Sequence, residues 1–444
     1  MELQRRWFGA GAICLALGLG ALPVAPQSQP EYESPPIRYS ATAASNQVTA
    51  LQARIDRGEL NLRGAGDRET LARCLEAFGI PVDSQVLVFS KTSLQRQRIS
   101  PQTPRAIYFS DDTYLGWVPG GLFEVTVSDP ELGLVFYSVD PRPSGAPLAF
   151  TRDNDCLSCH AGPLTRGWPA LMVRSVYPDA LGEPVSRAGS FLTGHDSPLS
   201  ERWGGWYVTG HHGGPPHLGN AIARDSGQDV TLERRADGTL ASLARLFPVE
   251  RYLTGESDVV ALMVLEHQVG MHNRLVEGAL RVRKWLHYQQ SLQKEMGQPL
   301  SEEPTGTALR VIQNEAQRIV EHLLFVGEAA LPEGGVQGSD RFQAAFRQNR
   351  RPDPAGRSLK DFDLQTRLFT HRCSYLIYSD AFDWLPPALR AEVYRRLDAV
   401  LVAATPAKPF QHLPVEERHA IREILLATKP DFAASRGLIA TGAP

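Results

Sequence analysis

Cys156, Leu157, Ser158, Cys159 and His160 spell C-x-x-C-H, once in a chain of 444 residues. Two thiols at this spacing can each add across a vinyl group on one edge of a porphyrin, and the next residue then places an imidazole under the iron. With five cysteines and twelve histidines in all, both residue types are scarce here. A redox dithiol, half of a zinc site and a local disulfide use the same two cysteines. A zinc site asks for a second ligand pair at similar spacing, and the chain has no second C-x-x-C. A redox dithiol asks for a strand feeding a long helix, whereas Gly162 and Pro163 interrupt any helix soon after the motif. The expectation is one covalent haem c on Cys156 and Cys159, with His160 as proximal iron ligand.

The sixth iron position decides what such a group can do. A second strong ligand suits electron transfer, and an open position admits a small molecule. The distal candidates fall into two sets. His267 and Met271 lie four apart on an apolar helix face with Val260, Val264 and Leu275, and His272 points about 100° away. His212 and His217 sit in a Gly/Pro-rich stretch able to bend toward a metal. Packing is the ordinary use of a methionine at helical spacing, and hydrogen bonding that of a buried histidine. Arg174 and Arg202 are candidates for haem propionates. The aromatics of Trp203-Gly204-Gly205-Trp206-Tyr207 suit either a porphyrin cover or a small core beneath a loop.

Other elements must position these groups. Gln47–Arg57 and Asp67–Phe78 carry helical spacing, the second with Asp67 as N-cap. Short β-rich runs follow at 86–89, 106–109, 114–118, 122–127 and 134–139, separated by Gly-Gly, Asp-Pro and Leu-Gly turns. Residues 150–225 lose any period and are rich in Gly, Pro, aromatics and His. After Asp258, a second N-cap, helices are expected over 259–285, 307–325, 366–382, 387–403 and 414–428. The basic stretch 347–360 reads as a solvated loop. The fold class is α+β: a small, mainly antiparallel sheet and an irregular haem-binding segment, then a mostly helical C-terminal half. The organisation is a signal peptide or N-terminal anchor over 1–25, a flexible leader over 26–45, an α+β haem-binding region over 46–255, and a helical region over 256–444 packed on it.

Arg5 and Arg6 precede an apolar run from Trp7 to Val24, which reads as an export signal. The expected location is periplasmic or otherwise exported, with a membrane tether only where that segment stays uncleaved. A net charge of −3 gives no basic footprint for nucleic acid. Cys74 and Cys373 could pair in an oxidising compartment or stay as buried thiols.

Cys156, Cys159 and His160 resemble the attachment site of c-type cytochromes. A wider resemblance covers about residues 80–430. Val88-Phe89-Ser90-Lys91-Thr92-Ser93-Leu94, Trp203 to Gly210 and Ser374-Tyr375-Leu376-Ile377-Tyr378-Ser379 are similar to blocks in a functionally unsettled family of large, exported, single-haem bacterial proteins. That likeness implies haem and export, and it raises His212, His217, Met271 and His272 over the other distal candidates. No compact helical domain surrounds the motif, so the small-cytochrome fold is not implied.

The expected function is electron transfer with a redox partner protein or a small-molecule donor or acceptor. The alternative is a haem-dependent, peroxidase-like oxidoreductase acting on a small molecule at an open distal site. The chain is several times longer than the roughly 100 residues of a simple carrier domain, which favours the alternative.

Overall fold

Seven short strands form one antiparallel sheet: β1 (Val86–Val88), β2 (Arg105–Phe109), β3 (Thr113–Trp117), β4 (Phe123–Asp129), β5 (Gly133–Val139), β6 (Thr151–Arg152) and, after a small hairpin of β7 (Arg174–Val176) and β8 (Ser190–Leu192), β9 (Trp206–Tyr207). The order across the sheet is β6-β5-β4-β3-β2-β1-β9. The computed structural model describes residues 29–142, 145–214, 216–234 and 240–441; the expected signal, including Cys14, lies outside them.

Side chains alternate across a strand, so each strand feeds two cores. Leu87, Tyr108, Leu115, Trp117 and Val125 face a core closed by α1 (Gln47–Asp56) and α2 (Asp67–Ala77). Val86, Val88, Phe109 and Tyr114 face the other core, built on α4 (Val259–Glu295) and α5 (Gly306–Leu323). The short α3 (Leu157–His160) carries the cysteine motif. Beyond α5 come α6 (Asp340–Phe346), α7 (Asp380–Asp383), α8 (Pro387–Val402), α9 (Val415–Thr428) and α10 (Pro430–Thr441). The fold is α+β with a helical C-terminal half, as expected. The segments 46–255 and 256–444 share a core, because strand residues and C-terminal helices pack together.

Several elements differ from expectation. The leader is not loose over its described part. Tyr32, Ile37 and Tyr39 are buried, and the Tyr39 hydroxyl donates to the Leu134 carbonyl at 2.8 Å. Arg152 stacks on the Tyr39 ring and donates to the carbonyls of Tyr39 and Thr42, strapping the leader to edge strand β6. Gly66, not Asp67, holds the cap position of α2; Asp67 is its first residue and accepts from Gly120 N. α4 runs ten residues past 285, carried by Gln, Lys and Glu of good helix propensity along an exposed stretch. Asp258 does cap it, accepting from Val260 N and Ala261 N.

The helix expected over 366–382 is absent. Asp363 accepts from the amides of Gln365, Thr366 and Arg367, and Leu364 takes a positive φ of 60°, so the chain turns instead. Ser374 and Ser379 then cap one 3₁₀ turn (Tyr375–Tyr378) and the single-turn α7. The stretch 347–360 is not solvated throughout. Lys360 is buried, with Nζ 2.7 Å from Asp111 Oδ1 and over the rings of Phe346 and Tyr375. Cys74 and Cys373 are separate buried thiols. Among the described residues, no helix is long and apolar enough to cross a membrane.

Candidate functional site

Asp153 opens the motif by accepting from Asp155 N, which starts a 3₁₀ turn (Asn154–Cys156) that runs into α3. Leu157 is buried and anchors the turn against the sheet core. Cys156 and Cys159 are three apart and His160 is four from Cys156, so all three share one face. Ala161 ends the helix and Gly162-Pro163 redirects the chain.

The return path fixes the imidazole. Ala170 N donates to the His160 carbonyl at 2.8 Å, and His160 Nδ1 lies 2.7 Å from the Ala170 carbonyl. A carbonyl only accepts, so Nδ1 carries the proton and Nε2 keeps its lone pair. Metal-binding histidines are oriented by such a bond. Burial holds the His160 pKa below its usual value, against the Ala170 bond, and favours the neutral ligand form. Phe136 of β5 packs on the ring at 4.8 Å.

This face opens on a cavity of about 1160 Å³, mouth included, lined by Cys156, Cys159 and His160. One wall is the sheet, where the register sets Val88 beside Arg105, Ile107 beside Gly116 and Glu124, and Tyr114 beside Thr126 and Phe136. Leu265 and Val269 of α4 and the segment Leu171–Arg174 line it as well. Trp206 joins them, its Nε1 donating to the Arg174 carbonyl at 2.7 Å. Gly116 leaves a hollow filled by the Arg105 guanidinium, which a Cβ there would strike. Arg105 pairs with Glu124 inside the cavity. Arg105 Nε and Ser90 Oγ are buried without a partner, and both residues line the space. Orphaned polar atoms around a large cavity fit a bound polar group. With two thiols and an oriented imidazole on one wall, the residues present fit a covalently held haem.

Burial, with Asp153 and Glu124 nearby, pushes the Cys156 thiol up to about 12. A redox dithiol needs a lowered value, so that alternative loses support. Among the described residues, the one gathering of three potential metal donors excludes both cysteines, which leaves half of a zinc site without its other half.

None of the five distal candidates is among the residues lining the cavity. His272 sits behind Tyr114, its Nδ1 2.6 Å from the Tyr114 hydroxyl and its Nε2 3.9 Å from Asp112. Met271 is fully buried in the helical core. His212 and His217 pack on each other at 4.5 Å, with Trp203 against His217 at 5.0 Å. His267 meets His195 and His322 instead. Arg202 is buried in an ion pair with Glu266 at 2.9 Å, whereas Arg174 does line the cavity. The aromatic block divides: Trp206 covers the cavity, and Trp203 and Tyr207 are core.

Met172 was not singled out from the sequence, yet it lines the cavity with His160. Its signal was weak: one of five methionines, twelve residues after the motif histidine and just past Trp168-Pro169. Compared with family models, curated proteins and solved structures, the chain matches none. The haem reading therefore rests on the residues themselves.

Proposed function

We propose that the chain is an exported electron-transfer protein holding one haem, its thiols Cys156 and Cys159 added across the two vinyl groups and His160 Nε2 on the iron. When bound, haem supplies a one-electron iron couple. Ala170 keeps His160 in the ligating tautomer, Phe136 fixes the ring plane, and Trp206 and Val269 limit water. Arg105 and Arg174 are the cavity's cations for the propionates. Met172, which lines the same cavity, would supply a thioether as a second iron ligand, and a His and Met pair would suit a carrier. The observation that carries this reading is the shared cavity: both thiols and an imidazole with a free Nε2 line one space.

Material matured with haem-attachment machinery tests it. The peptide spanning 156–160 is expected to gain the mass of one haem, and Cys156→Ala with Cys159→Ala to abolish the covalent adduct. A wild-type peptide of unmodified mass would end the proposal.

A second reading, a haem-dependent oxidoreductase acting on a small molecule, draws on the polar wall of Arg105, Glu124 and Tyr114. Carbon monoxide separates the two. A reduced low-spin spectrum indifferent to it supports the carrier, and a ligand-responsive high-spin spectrum supports the enzyme.

A further inference from the structure

On the far side of the Leu171–Val173 segment lies a second cavity of about 1060 Å³, mouth included. Leu171, Met172, Val173 and Val269 line both spaces, so one thin wall of chain separates them. His322 of α5 lines the second cavity. Behind it stand His195, from the irregular segment, and His267 of α4. The three imidazoles each bring one ring nitrogen to within 4.8 Å of the others.

The cluster is built closely. His195 Nδ1 and His267 Nδ1 are 2.9 Å apart. The other side of two of the rings is held: His267 Nε2 lies 2.7 Å from Ser374 Oγ, and His322 Nε2–H donates to the His267 carbonyl at 3.3 Å. Partners that fix ring orientation from behind are characteristic of metal-ligating histidines. Gly270 lets the α4 backbone close on His322, whose ring would collide with any Cβ there. Burial lowers all three histidine pKa values, which favours the neutral imidazoles a metal requires. Arg202 approaches from behind, and its charge is taken up by Glu266 at 2.9 Å.

We propose that His195, His267 and His322 form a mononuclear site for a divalent first-row transition ion of the zinc or copper class, with a fourth position facing the second cavity. Imidazole donors suit these ions. Three ligands at about 2.0–2.1 Å in tetrahedral geometry stand about 3.3 Å apart, and the three ring nitrogens lie within 4.8 Å of one another, with the His195 and His267 pair at 2.9 Å. Three protein ligands with one open position is the arrangement of reactive, rather than purely structural, metal sites. The site is independent of the haem reading, since it shares no donor with Cys156, Cys159 or His160.

Haem-loaded protein stripped with chelator and dialysed against Zn(II) or Cu(II) provides the test, with metal counted apart from haem iron. One ion per chain is expected, with nitrogen hyperfine structure in the Cu(II) electron paramagnetic resonance spectrum. His322→Ala removes the cavity-lining ligand with the least disturbance of the core, and should weaken binding at least tenfold with circular dichroism unchanged. Ser374→Ala should weaken it less. His419→Ala, at an exposed position, should change nothing. No stoichiometric ion, or binding insensitive to His322→Ala and His195→Ala, would overturn the site and leave a hydrogen-bonded histidine cluster.

Discussion

His160 and Ala170 illustrate how little of a ligand's chemistry lies in its identity. A histidine after C-x-x-C is readable from the sequence, but the tautomer that frees Nε2 comes from a carbonyl ten residues on. Met172 makes the same point from the other side. Nothing in its sequence neighbourhood outranked His267 or Met271, because those carry helical periodicity and Met172 carries none. Its claim comes from where the chain returns after Pro169. We expect Met172→Ala to turn a carbon monoxide-indifferent spectrum into a responsive one, while Met271→Ala and His272→Ala leave the axial signature unchanged. An unaltered spectrum in Met172→Ala would remove Met172 as the ligand. Gly116 is a second residue whose role is invisible in isolation: the missing side chain seats Arg105 in the cavity floor. Gly116→Val should cost about 1–3 kcal/mol by overpacking and lower haem incorporation, measured by denaturation and by haem-to-protein ratio.

At the level of elements, α4 does the most. Leu265 and Val269 line the cavity beside the cysteine motif, His272 braces Tyr114 behind it, and His267 turns to the histidine cluster. One helix thus sets the spacing of two sites. Removing its cap by Asp258→Ala should cost about 1–2 kcal/mol, since the amides of Val260, Ala261 and Ser339 lose their acceptor. The segment 366–382 shows where periodicity misleads. Its apolar residues recur as in a helix, yet Asp363, Ser374 and Ser379 bond nearby amides and break it into turns. That segment is pinned to α9 by Arg372, which is 2.6 Å from Glu417 and donates its backbone N–H to the same carboxylate. Burial raises the Glu417 pKa, but the Arg372 bonds and charge outweigh this and hold it below the ordinary carboxylate value. A depressed folded value means the unfolded chain takes up the proton first as pH falls. The pair's contribution is therefore complete above about pH 4.3 and is lost as pH drops through the folded value. Glu417→Ala should cost about 1–3 kcal/mol at pH 7, because the half-buried Arg372 loses its carboxylate partner and keeps only the His412 carbonyl. The deficit should shrink toward pH 3, and urea midpoints at the two pH values would show it.

For the whole molecule, the sheet is a partition. One face closes on the N-terminal helices and the strapped leader, and the other on the C-terminal helices, with the cavity beside the cysteine motif opened between sheet and α4. Tyr39 ties the leader to β5 and β6. Tyr39→Phe should cost about 1 kcal/mol for the lost bond to Leu134, and Tyr39→Ala about 3–5 kcal/mol for the emptied core position. Equal thermal midpoints for the wild type and Tyr39→Ala would show that the leader does not share the cooperative unit.

The sequence alone determined the α+β class, most strands and the long helices, and it supplied the five-residue motif on which the proposed attachment rests, because each depends on residues close together: five for the motif, and a repeat of two or 3.6 for the elements. Tertiary structure decided what shares a cavity with His160. That depends on the register of β2–β4, on a return loop through Ala170 and Met172, and on which face α4 turns to the sheet. These are contacts between segments as far as 158 residues apart, set by packing and by hydrogen bonds to backbone groups whose positions no local pattern encodes.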